Sequence, residues 1–278
     1  MSTAQTVLLG AIAGLTIFLG LPAGRMRGGS VRLKTFLTGI SAGILVFLLF
    51  DILEHATGPM EDAVNAVRVS HHGWGHLVAM GAVYAGGIAV GLLGLLYVSR
   101  MWRNRRAQTS LGPGAMAVAE TEESAREHEL LHLGMSIALG IGLHNFSEGL
   151  AIGQAAHANK VSLALLLVIG FGLHNATEGF GIIGPLAAGN VRAPWKWLIV
   201  AGLIGGGPTF LGTLLGTTVT SELVFVGFLA LAAGAILYVI GELFAAGRRL
   251  TWDWMLWGIL VGFIAGVATD MILVAAGV

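Results

Sequence analysis

The chain has 278 residues, of which 55% are hydrophobic and only 11% charged. A soluble domain carries about 25% charged residues, so this composition excludes one and points to an all-α integral membrane protein. Fifteen Lys and Arg balance fifteen Asp and Glu with no long basic block, which argues against nucleic acid as a partner. The absence of cysteine removes disulfides, thiolate metal ligands and thiol catalysis together.

Runs of about 20 apolar residues are long enough to cross the hydrocarbon. Eight such runs are expected to be transmembrane helices, over 5–22, 35–57, 76–99, 130–156, 161–186, 195–219, 222–245 and 252–276. The first has no basic residue ahead of it, as a cleaved signal peptide would, and reads as a retained helix. Forty-three glycines, many inside the apolar runs, suit helices that pack closely in lipid. The stretch 101–129 mixes Gly112, Pro113 and Gly114 with Glu120, Glu122, Glu123, Glu127 and Glu129, and reads as a flexible cytoplasmic loop. The expected organisation is one polytopic domain over 1–278, its helices arranged three, two, three.

Thirteen Lys and Arg residues follow spans one, three, five and seven, against Arg68 and Lys160 on the other side. The positive-inside rule then puts both termini outside. With no targeting segment read, a bacterial inner membrane is the expected location.

The fourth and fifth spans carry a near-duplicate. GIGLHNFSEGLAIG begins at Gly140 and GFGLHNATEGFGII at Gly170, with eight of fourteen positions identical. Residues four apart share a helix face, so His144 stacks with Glu148 and His174 with Glu178. An ionisable group near the bilayer centre costs about 3 kcal/mol, and two such pairs suggest a shared ligand that offsets that cost. Two imidazoles and two carboxylates suit Zn²⁺ first, then Fe²⁺, Mn²⁺, Co²⁺ or Cd²⁺, and the two charges balance a dication. Helices 4 and 5 cross in opposite senses, so their motifs are related by inversion, as in carriers with a midplane site between repeats. Asn145 and Asn175 lie about 100° around from their histidines, placed to add amide oxygens or to orient the imidazoles. The bland reading is two His–Glu pairs serving as polar glue within their own helices.

At these residues the chain resembles the ZIP family of divalent-metal transporters, whose helices 4 and 5 carry HNxPEG-like motifs. The resemblance implies a metal site between helices 4 and 5 formed by His144, Glu148, His174 and Glu178, with Asn145 and Asn175 at a neighbouring second site. Two departures stand out. Ser147 and Thr177 occupy the place of the proline before each Glu, and their hydroxyls can bond back to the preceding turn. Gly207 precedes Pro208 where many relatives have Glu, which favours one bound ion over two.

Other polar residues at membrane depth suggest a route. Asp51, Glu54 and His55 near the outer end of helix 2, with Asp270 near the outer end of helix 8, can form an approach path for cations or a wet helix end. His128 and His132, at the inner mouth of helix 4, can receive a released ion. The function expected is transport of a divalent transition metal, zinc first, into the cytoplasm, with the metal as substrate and no catalytic cofactor. The partners are the ion and the lipid bilayer, and a homodimer is left open. The rival readings are an intramembrane zinc-dependent hydrolase, for which no HExxH run is present, and a non-transporting metal sensor.

Overall fold

The structure is a computed structural model that describes residues 2–25, 30–107, 118–218, 221–248 and 251–275. In lipid a backbone must satisfy its own N–H and C=O groups, so apolar runs of this length fold as helices. The described elements are α1 (Thr3–Leu15), α2 (Ile17–Gly20) and a 3-10 turn (Leu21–Arg25), then α3 (Val31–Ser70), α4 (Trp74–Ala107) and α5 (Val118–His157). They continue with α6 (Val161–Ala188), α7 (Trp195–Gly216), α8 (Glu222–Arg248) and α9 (Trp252–Ala275). Eight segments are long and apolar enough to cross a membrane, counting α1, α2 and the turn as one broken span. The fourth and fifth spans are α5 and α6.

Three helices depart from the expected bounds. The first span breaks because the Thr16 hydroxyl donates to Ala13 O at 2.7 Å while Leu19 N–H reaches back only three residues to Thr16 O. The second runs through Gly58 and Pro59 to Ser70, 40 residues in all, or about 60 Å. Its extension buries Ala63 and Val67 four residues apart and exposes Glu61, Asp62 and Arg68, so it is amphipathic rather than apolar. His71, in the left-handed region at φ 56°, ends it by donating its N–H to Val67 O. Helix also covers both ends of the stretch expected as a loop, to Ala107 and from Val118; residues 108–117 lie outside the described residues.

Glycine determines which helices pack most closely. A Cβ on Gly149 of α5 would collide with Thr209 O of α7, and one on Gly212 of α7 with Phe146 O of α5. Gly14 of α1 meets Gly206 of α7 in the same way, and Gly20 of α2 meets Gly179 of α6. A second set joins α3 to α9 through Gly39, Gly43, Gly258 and Gly262, and α4 to α8 through Gly91 and Gly234. Lipid tails supply no hydrophobic drive between helices, so such backbone-to-backbone contact is what holds them.

The result is two groups, one of α1, α2, α5, α6 and α7, the other of α3, α4, α8 and α9, which meet along α3–α6 and α5–α8. At the α3–α6 seam the approach is looser. A Cβ on Gly181 or Gly184 would stand 3.7 or 3.5 Å from α3, an ordinary contact. The pairings are preserved when the first span, α3 and α4 are exchanged with α7, α8 and α9, and α5 with α6. No residue pattern outside the duplicated motif announces that relation.

Candidate metal centre

The motif faces a cavity of about 350 Å³, walled by α3, α5, α6, α8 and α9. His144 and Glu148 lie on one face of α5 as their spacing requires, with His144 Nε2 3.1 Å from Glu148 Oε1. His174 of α6 stands across from them, its ring centre 6.1 Å from that of His144. One ligating atom from each of His144, Glu148 and His174 lies within 4.8 Å of the other two. Each of the three lines the cavity, although His144 and Glu148 are almost wholly buried.

Glu178 does not join that trio. It is buried on α6, where the Asn145 side-chain amide donates to its Oε2 at 3.0 Å and to Gly205 O of α7 at 3.1 Å. Asn175 uses its amide in the equivalent way, donating to Ala13 O beside the break in the first span at 3.1 Å. The two amide N–H groups thus brace the flanking helices, and neither goes to an imidazole. Asn175→Ala is expected to cost about 1–2 kcal/mol of stability, seen as a lower melting temperature in detergent, with zinc affinity unchanged within about threefold.

The hydroxyls that replace the family's prolines bond back as expected. Ser147 Oγ donates to His144 O at 2.6 Å and Thr177 Oγ1 to His174 O at 2.7 Å. The two helices therefore remain continuous through the motif. Gly207 lies on the side of α7 that carries the exposed Leu203, Phe210 and Leu211, where an added Cβ meets nothing within 4 Å.

The donor chemistry fits a divalent ion. Glu148 Oε2, His174 Nε2 and His144 Nδ1 are buried with no hydrogen-bond partner, as are Glu178 Oε1 and Asn145 Oδ1 nearby. Each such atom costs about 1–3 kcal/mol, and so many in one place mark a site shaped for a ligand rather than for packing.

Asp51, Glu54, His55 and Asp270 line the same cavity as the trio. Asp51 is half-buried, while Glu54 and His55 are exposed. The Nδ1–H of His55 donates to Asp51 O at 2.9 Å. At the other end of α5, His128 is exposed and its Nδ1–H donates to Ser124 O at 2.6 Å; His132 is half-buried. What residue spacing missed are the backbone partners, Gly205 O and Ala13 O, because a carbonyl carries no residue signature.

A multi-span helical protein with a nitrogen- and oxygen-lined pocket in its interior is built to take a cation into the membrane. The family model described as ZIP Zinc transporter matches residues 99–246, more than half of the chain and including both copies of the motif. The chain belongs to the ZIP zinc transporter family, a family of transporters rather than enzymes, and is a multi-pass membrane protein that transports divalent metal cations. No curated protein matches the sequence.

Proposed function

We propose that this transporter carries zinc into the cytoplasm, with His144, Glu148 and His174 as the ligands an incoming ion meets and Glu178 beside them as the second charge of the site. The observation that carries the reading is the convergence of those three ligating atoms within 4.8 Å on the wall of a cavity. Two carboxylates neutralise the dication, so loading removes the cost of burying their charges. A membrane potential draws a dication inward by about 4.6 kcal/mol per 100 mV, which supports uptake. The positive-inside bias supports outside termini and a cavity that opens outward. The absence of a nearby general base and the duplication of the motif favour carriage over hydrolysis.

The test is zinc influx into liposomes bearing the purified protein, beside a Glu148→Ala, Glu178→Ala double variant and with Fe²⁺, Mn²⁺, Co²⁺ and Cd²⁺ as competitors. Saturable influx that zinc itself inhibits best, and that the double variant lacks, supports the reading. Equal influx through both proteins would overturn the site, and a competition order led by another metal would overturn zinc.

Asp51, Glu54, His55 and Asp270 form the approach path in this reading, and His128 and His132 the release path. Negative charge lining a low-dielectric cleft concentrates cations and speeds their arrival. Asp51→Asn is therefore expected to raise the half-saturating zinc concentration by about tenfold with little change in maximal rate. Equal losses at every zinc concentration would assign Asp51 to packing.

A further inference from the structure

The cavity and the hydrogen bonds that join the two helix groups occupy opposite halves of the protein. The cavity is lined by the late residues of α3 and α9 and the early residues of α6 and α8, which together mark the end of the bundle bearing His55 and Asp270. Three hydrogen bonds that cross between the groups all lie toward the other end. Thr38 of α3, fully buried, donates to Gly184 O of α6 at 3.1 Å. Lys34 Nζ of α3 donates to Asn190 Oδ1, just past the end of α6, at 2.7 Å. Ser99 of α4 and Ser136 of α5, both buried, share a hydrogen bond at 3.2 Å.

Between the trio and that end, Leu45, Ile137, Ile141, Ile182 and Leu186 fill the space and belong to one buried cluster. An ion on the trio thus has an open cavity on one side and a dry plug on the other. The plug draws on both groups, with Leu45 from α3 and the rest from α5 and α6. It can open only if the groups separate there.

We propose that Lys34–Asn190, Thr38–Gly184 and Ser99–Ser136 form the release gate of the transport cycle, closed in this structure while the site faces the cavity, and that these contacts part to let the ion out. Their chemistry suits the task. Within each group the helices touch backbone to backbone through glycine, so they move as units. Across the seam a few side-chain hydrogen bonds close the gate, each with a net worth of about 1 kcal/mol. Contacts of that size hold a closed state without trapping it. The inference rests on the carrier reading, because a gate has a role only if an ion passes.

Since the chain has no cysteine, the test needs no background removal. In Ser99→Cys/Ser136→Cys, a metal-free oxidant should join α4 to α5, verified by mass spectrometry. Zinc influx into liposomes should fall at least tenfold on oxidation and return on reduction, with one zinc still bound in both forms. Failure to crosslink, or full influx through the crosslinked protein, overturns the gate. A second measurement does not need transport. Thr38→Val with Lys34→Met should raise the reactivity of an Ile141→Cys probe toward a membrane-impermeant maleimide, applied from the Arg248 side, by about tenfold or more. Unchanged reactivity also overturns the gate. If the wild type moved no zinc, the carrier reading would fail on its own, while the maleimide rates would still report whether the contacts hold this end shut.

Discussion

Glu148→Ala is expected to lower zinc affinity and saturable influx by on the order of 100-fold or more, while leaving the apo protein as stable as the wild type or more so. The carboxylate supplies one ligand of the trio and one of the two charges that neutralise the dication. Without it, zinc would enter a buried site with a single counter-charge at most, a cost of several kcal/mol, and every 1.4 kcal/mol is tenfold. The apo protein loses only a buried carboxylate whose Oε2 has no hydrogen-bond partner, so its removal relieves a desolvation cost. Zinc titration by calorimetry and melting in detergent check the two halves. A lowered melting temperature with zinc binding intact would assign His144 and Glu148 to helix glue.

Gly149→Val is expected to destabilise the fold by about 3 kcal/mol or more and to leave little monodisperse protein. The first added carbon would fall on Thr209 O of α7, with Thr213 N–H close behind. Backbone cannot yield as a flexible side chain does, so α5 would move off α7 and carry His144 and Glu148 with it. Gly94→Ala is the control. It lies within α4, meets nothing within 4 Å, and gains up to about 1 kcal/mol of helix propensity. Size-exclusion profiles and melting curves should separate the two variants, and equal behaviour would show that glycine packing does not hold this pair together.

The motif was legible because its chemistry is local. His144 and Glu148 lie four residues apart on one helix and meet at 3.1 Å with no help from the rest of the fold. The same spacing in His174 and Glu178 did not reveal that the two side chains serve different neighbours. His174 faces the cavity, whereas Glu178 receives the amide of Asn145 from another helix. The asparagines show the same limit. Their place beside the histidines suggested an orienting role for the imidazoles, yet they donate to carbonyls of α7 and the first span. Gly58–Pro59 read as a helix end because both residues disfavour helix, while the amphipathic turn beyond them carried α3 on to Ser70.

By itself, the sequence determined the solvent, the number of spans and the ligand-bearing faces, because hydropathy and helical period act over a few turns and need no tertiary partner. Tertiary structure alone decided which helices move together, which of the four motif side chains share one cavity, and which end of the bundle is shut. Those outcomes depend on where glycine lets one backbone approach another and on side chains that find carbonyls more than a hundred residues away, as Thr38 finds Gly184 and Asn175 finds Ala13.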